Sequence, residues 1–294
     1  MPVTARQRDL VFGSELKSLG VDYITLTQKR GEFATALHSL CLPLLQQESD
    51  RGNRVKSWSM YEYSGYSCGS VQVGTRGDGE IARLSGEQAR SNWTMLFPFA
   101  SNCSRIDVQV TIFFPRESKL VLRSLWRSVR KHRPTVGKRP LATLIESTDG
   151  SWTIYSGKRT SDQMGRIYDK GLETKSKLLD GCIRFEAEMK GDSAVSLSRR
   201  LYLAVDRPAT ITGEVSGFLE KRGVPPAFFC SLPQGHLLSA SSRSSPTVAD
   251  DARSLAWLGK YVRPSVERLI LRGHYDSVLE SLGLGPDGPK SASD

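Results

Sequence analysis

Residues 104–114 read Ser-Arg-Ile-Asp-Val-Gln-Val-Thr-Ile-Phe-Phe. Ile106, Val108 and Val110 fall at every second position, with Asp107, Gln109 and Thr111 between them. A β-strand turns successive side chains to opposite faces, so this run has one apolar and one polar face. Residues 183–190 repeat the pattern with more charge: Arg184, Glu186, Glu188 and Lys190 share one side, Phe185, Ala187 and Met189 the other. Residues 165–171, Gly-Arg-Ile-Tyr-Asp-Lys-Gly, set Arg166, Tyr168 and Lys170 against Ile167. Segments of this kind require a sheet with one face packed on helices and one polar face, as antiparallel sheets have.

The remaining segments fit that frame. Residues 21–28 alternate like a strand, and Phe33, Leu37, Leu40 and Leu44 follow at helical spacing. Strand-like runs lie near residues 58–63, 69–76 and 80–86, and Ser85 with Gln88 is spaced as a capping box for a short helix. Residues 116–133 form an amphipathic helix: Val121, Leu122, Leu125, Trp126 and Val129 face inward, while Arg123, Arg127, Arg130 and Lys131 face out. Residues 151–159 give a further strand, and residues 192–205 read as helical.

Residues 71–86 and 154–169 align without a gap: Gly74 falls on Gly157, Arg76 on Arg159, Arg83 on Arg166 and Leu84 on Ile167, with Ser85 at the position of Tyr168. Each copy is followed by a strand opening Arg-apolar-acid, at Arg105 and at Arg184. The expected fold class is therefore α+β: a central antiparallel or mixed sheet built from two duplicated β-rich units, flanked by helices, with a small C-terminal helical segment. The expected organisation is a flexible segment over 1–20 and a main domain over 21–235, with repeats at about 60–135 and 145–205. A Ser-rich linker over 236–251, helices over 252–284 and a disordered tail over 285–294 follow.

The formal net charge of +10 points to a polyanionic partner, nucleic acid first and an anionic membrane surface second. No run of about 18 apolar residues exists to span a bilayer. The N-terminal residues lack an apolar signal core, so secretion is not expected. The five cysteines, at 41, 68, 103, 182 and 230, form no Cys-x-x-Cys pair, which argues for reduced thiols in a cytoplasm. The four histidines, at 38, 132, 236 and 274, have no metal-ligand spacing.

A solvated sheet face accounts for any one acid among these strands. If the strands are neighbours, however, Asp107, Glu186 and Glu188 converge, and like charges that close call for a cation. Mg²⁺ or Mn²⁺ suits a set of oxygen ligands. A phenol beside such a site suggests nucleophilic phosphoryl transfer, with Arg166 and Lys170 favouring the phenolate and the metal polarising the phosphodiester. The plainer reading of Tyr168 is a half-buried strand tyrosine.

Four motifs carry a resemblance: Arg105-Ile106-Asp107; Gly157-Lys158-Arg159-Thr160-Ser161-Asp162; Arg166-Ile167-Tyr168-Asp169-Lys170; and Arg184-Phe185-Glu186-Ala187-Glu188-Met189-Lys190. Together they resemble the replication-initiation-factor family of rolling-circle plasmids and filamentous phages, which also includes relaxases of integrative elements. The resemblance spans roughly residues 20–200. It implies that Tyr168 is the nucleophile that nicks one strand at an origin hairpin, leaving a 5′-phosphotyrosine and a 3′-hydroxyl for a host polymerase. It also implies that Asp107, Glu186 and Glu188 hold the divalent metal. Origin DNA, a host helicase, the host polymerase and a homodimer are the partners so implied, in the cytoplasm of a bacterial host cell. Arg123, Arg127, Arg130, Lys131, Arg76 and Arg159 are candidate DNA-phosphate contacts. The aromatics of residues 60–67 are candidates for stacking on bases, with core packing the plainer account. A conjugative relaxase of the same chemistry, a non-catalytic DNA-binding regulator and a water-using metal nuclease remain alternatives.

Overall fold

The computed structural model describes residues 9–33, 35–60, 62–132, 142–148, 150–230 and 232. These all belong to the first of two compact units, residues 1–241, so the expected linker, C-terminal helices and tail lie outside the described residues.

Ten strands form one sheet: β1 (Glu15–Lys29), β2 (Lys56–Met60), β3 (Tyr63–Cys68), β4 (Val71–Arg76), β5 (Gly79–Ser85), β6 (Asn102–Phe113), β7 (Ala142–Glu146), β8 (Trp152–Ser156), β9 (Gln163–Asp169) and β10 (Cys182–Lys190). Their spatial order is β2-β3-β4-β5-β1-β6-β10-β9-β8-β7, and every pairing is antiparallel. The helices are α1 (Leu37–Asp50), α2 (Gly86–Leu96), α3 (Ser118–Lys131), the short α4 (Lys170–Thr174), α5 (Gly191–Leu203) and α6 (Arg207–Glu220).

The apolar halves of the alternating strands meet the helices on one face. Ile24, Leu26, Ile106, Val108, Phe185, Ala187 and Ile167 form a single core with Leu37 and Cys41 of α1, Trp93 of α2, Leu125 of α3, Leu197 of α5 and Val215 of α6. Burying a Leu, Ile or Phe contributes about 2 kcal/mol each, which fixes the strand faces: a slip of one residue would invert them. Gly165 lets α6 lie close to β9, because a Cβ there would sit 2.7 Å from Leu219 Cδ2.

The sheet has internal symmetry. On β1 and β5, Tyr23, Ile24, Thr25 and Leu26 pair with Ser85, Leu84, Arg83 and Ala82. On β6 and β10, Arg105, Ile106, Asp107 and Val108 pair with Lys190, Met189, Glu188 and Ala187. Between the two central strands Ile24 opposes Ile106, Tyr23 opposes Asp107 and Thr25 opposes Arg105. A local two-fold axis between Ile24 and Ile106 demands that register. Each half is thus strand, helix, four strands, helix: β1-α1-β2-β3-β4-β5-α2 and β6-α3-β7-β8-β9-β10-α5, with α4 inserted between β9 and β10. Gly86 and Gly191 open the last helix of each half with φ of 56° and 51°, a left-handed turn that favours glycine.

This duplication differs in frame from the sequence alignment. Residues 71–86 form β4 and β5, whereas residues 154–169 form β8 and β9. The two-fold matches β4–β5 to β9–β10 instead, so Arg83 corresponds to Glu188, Thr25 to Asp107 and Arg76 to Tyr168. The Gly-x-Arg turns of the two halves sit on hairpins that the two-fold does not equate, β4–β5 and β8–β9, so a gapless match anchored on them takes the wrong frame.

Other expectations also shift. β1 starts at Glu15, within the segment expected to be flexible. Ser85 caps nothing; its hydroxyl donates to Ser70 O, and Gln88 donates to Gln47 and to the buried Glu48 carboxylate. The buried Glu48 carboxylate is a charged acceptor, and it turns the Gln88 amide toward α1 and away from the start of its own helix. β7 and α6 were not foreseen.

Candidate active site

The polar face gathers the site. β6, β10 and β9 are adjacent, with Glu188 opposite Asp107 and Glu186 opposite Arg166. Alternation along each strand therefore brings Asp107, Glu186, Glu188, Arg166 and Tyr168 onto one surface. Asp107, Glu186 and Tyr168 are buried, at 3 %, 2 % and 6 % exposure.

Tyr168 Oη donates to Glu186 Oε1 at 2.6 Å. Arg166 Nε donates to Glu186 Oε2 at 2.6 Å, and its Nη2 completes a fork on the same oxygen. The Arg166 guanidinium and the Lys170 ammonium both lie over the Tyr168 ring, 5.3 and 5.8 Å from its centroid. Lys170 does so from the first residue of α4, because β9 ends at Asp169 and that carboxylate caps the helix by accepting from Leu172 N. Lys170 therefore does not share the strand face with Arg166 and Tyr168, contrary to the alternation drawn through residue 170, and it pairs with Glu173 at 2.6 Å.

A second group adjoins the first. Arg105 Nη2 reaches Asp107 Oδ2 at 2.6 Å and Glu188 Oε2 at 2.7 Å, and Lys190 Nζ holds Glu188 Oε1 at 2.6 Å. Arg184 lies 3.9 Å from Glu186 and 3.2 Å from Asp22, donates to Thr111, and is itself buried. Arg90 also pairs with Asp22, at 2.8 Å.

Electrostatics reverses one expectation. The Tyr168 phenol is pushed well above the ordinary tyrosine range by burial first and by the Glu186 carboxylate second, which outweigh Arg184 and Arg166. Tyr168 is therefore a protonated donor to Glu186, not a phenolate stabilised by Arg166 and Lys170. The Asp107 carboxyl is raised to about 6, by burial above all, against the pull of Arg105.

The acids were expected to share one divalent ion. As paired here, the donor set does not fit one. Arg105 stands between Asp107 and Glu188, while Arg166 and the phenol take up Glu186. Five cations (Arg90, Arg105, Arg166, Arg184 and Lys190) already face four carboxylates (Asp22, Asp107, Glu186 and Glu188). A further double positive charge adds to an excess, whereas an anion relieves it. Among the described residues no group of three or more His, Cys, Asp or Glu is arranged to hold a metal.

The expected DNA contacts disperse. Arg123, Arg127, Arg130 and Lys131 are exposed on α3, with Arg123 lying 5.6 Å from the Trp152 ring. Arg76 and Arg159 are exposed on the β4–β5 and β8–β9 turns, which leave the same end of the sheet. Arg76 pairs with Asp78 and lies over Tyr63, while Arg159 lies over Tyr155. Of the 60–67 aromatics, Tyr63 is buried and Tyr66 is half exposed. Arg105 and Arg184 went unassigned from sequence, although alternation puts them beside Asp107 and Glu186. All five cysteines are free.

No family model matches the chain, and no curated protein does. Among solved structures, the chain is similar to a rolling circle replication initiator protein from Geobacillus stearothermophilus. The likeness has a TM-score of 0.52 and 20 % identity over 71 % of this chain and 85 % of that one. The two share a fold. Among the described residues no helix is long and apolar enough to cross a membrane.

Proposed function

We propose that this chain initiates rolling-circle replication by nicking one DNA strand at an origin and later rejoining it, with Tyr168 as nucleophile. The observation that carries the reading is the short hydrogen bond from Tyr168 Oη to Glu186 Oε1, set among arginines on the polar face. The shared fold with a replication initiator supports it.

In this reading the Tyr168 oxygen attacks the scissile phosphorus, and its proton passes to Glu186 as general base. The new bond is tyrosyl oxygen to phosphorus. The bond that breaks joins phosphorus to the 3′ oxygen, which leaves and takes a proton from water. Protonating Glu186 removes the charge that Arg166 was balancing. The guanidinium becomes available to the phosphoryl oxygens just as they gain negative charge. Burial keeps water from competing for the phosphorus. Reversal, with a 3′-hydroxyl attacking the phosphotyrosine, rejoins the strand without a nucleotide cofactor. A relaxase of an integrative element would use the same steps.

The test is to incubate the protein with single-stranded oligonucleotides carrying candidate origin sites, then look by mass spectrometry for a peptide containing Tyr168 linked to the 5′-phosphate. Its appearance supports the reading. Cleavage that survives Tyr168→Phe would falsify it in favour of a nuclease that uses water.

A further inference from the structure

Arg83 is the counterpart of Glu188 in the other half of the sheet, and its surroundings have the opposite character. Its guanidinium is held between two rings, 5.9 Å from the Tyr23 centroid and 5.8 Å from the Trp58 centroid. Nη1 meets only soft or neutral acceptors, Met60 Sδ at 3.3 Å and Gln72 Oε1 at 3.4 Å. Nε is buried with no hydrogen-bond partner. Among the described residues no carboxylate lies within ion-pair distance of it, whereas Arg105, Arg166 and Arg184 each hold at least one.

An unneutralised, partly desolvated guanidinium with an open N–H is a receptor for an anion. The rings on either side narrow the choice. Tyr23 and Trp58 are both partly exposed, and Tyr23 also carries Arg105 at 4.4 Å from its centroid. A single row of stacked groups, Trp58, Arg83, Tyr23 and Arg105, thus runs across the polar face to Asp107 and Glu188. Alternating flat rings and guanidinium planes suit a ligand with alternating bases and phosphates whose bases are unpaired.

We propose that this row is a docking track for single-stranded nucleic acid, in which Arg83 binds a backbone phosphate and Trp58 stacks on a neighbouring base. The inference rests on the nicking proposal for what lies at the far end of the track. Arg83 on β5 is four strands from Tyr168 on β9, about 19 Å across the sheet, and it is level with Lys190 where Tyr168 is level with Arg184, about 20 Å along the strands, so the two lie about 28 Å apart. The strand would then be gripped some nucleotides away from the bond to be cut. The two-fold sets Arg83 at the position that Glu188, beside the proposed reaction centre, holds in the other half.

The experiment measures binding of a fluorescein-labelled oligothymidylate by anisotropy at several salt concentrations. It is done in a Tyr168→Phe background, so that no covalent adduct forms and the result does not depend on whether the chain nicks DNA. Arg83→Met is expected to weaken binding about tenfold and to reduce the slope of log affinity against log salt by about 0.7, the value for one phosphate contact to a single strand. Trp58→Ala is expected to weaken binding about tenfold with the slope unchanged, as for loss of one stacked base. Arg83→Lys keeps the charge and is expected to restore the slope, which separates loss of the contact from loss of the fold. Binding by Arg83→Met within about twofold of its parent, at the same slope, overturns the track and leaves the adduct test of Tyr168 standing.

Discussion

Tyr168 donates its phenolic hydrogen bond to Glu186 across 2.6 Å, while Arg166 forks onto the other Glu186 oxygen. In the proposed reaction the nucleophile, its base and the cation that proton transfer would free are thus linked in one line of contacts. Tyr168→Phe is expected to abolish the covalent adduct. Glu186→Gln keeps a hydrogen-bond acceptor but removes the base, and is expected to slow adduct formation by about 10²–10⁴, the usual worth of a general base. Single-turnover kinetics on an end-labelled oligonucleotide measure both. A Gln variant at the full rate would show that Glu186 takes no proton.

The same contact sets how Tyr168 ionises. Burial and the Glu186 charge raise its phenol, so Tyr168 is expected to ionise only well above the ordinary tyrosine range. Below the ordinary tyrosine value of about 10, a difference ultraviolet titration of the parent against Tyr168→Phe should show no phenolate signal. A tyrosine signal that appears near neutral pH in the parent and vanishes in the variant would restore the phenolate picture.

Arg105 occupies the place between Asp107 and Glu188 that an added cation would need. Arg105→Gln removes one positive charge at close contact with both acids, worth several kcal/mol at most in a partly solvated site. The variant is expected to bind Mn²⁺ at least about tenfold more tightly than the parent, read from the free-ion signal in electron paramagnetic resonance. Equal affinity would mean that Arg105 does not stand in the way of the ion.

Much of this arrangement was legible in the sequence because it depends on a period of two. Alternation places Asp107, Glu186, Glu188, Arg166 and Tyr168 on the polar face, whereas the adjacency of β6, β10 and β9, a condition in the sequence reading, is supplied by the strand pairing. What alternation cannot show is pairing between side chains on the same face. It counts acids and suggests a cation, but whether the cation is an ion or Arg105 depends on rotamers. The direction of the Tyr168 shift was hidden for a related reason. Arg166 and Lys170 are next to it in sequence, whereas the dominant effects are burial and Glu186, which sits one strand across. The frame of the duplication needed the register at Ile24 and Ile106, since no local motif marks the axis.

Asp107 makes a prediction about stability. Its carboxyl ionises at about 6 in the fold, against the ordinary aspartate value of 3.8 taken for the unfolded chain. Between those values the folded protein retains a proton that the unfolded chain has released. Rising pH therefore favours unfolding across that window, and the effect levels off once both states are ionised. A shift of that size corresponds to about 3 kcal/mol as an upper bound, at about 1.4 kcal/mol per unit. Asp107→Asn has no proton to lose, so its stability should not fall with pH on this account. Urea unfolding at a series of pH values from about 4 to 7 measures the difference between the two proteins. If the parent and the Asn variant lose stability in parallel across that range, burial of the Asp107 carboxylate does not carry the cost assigned to it.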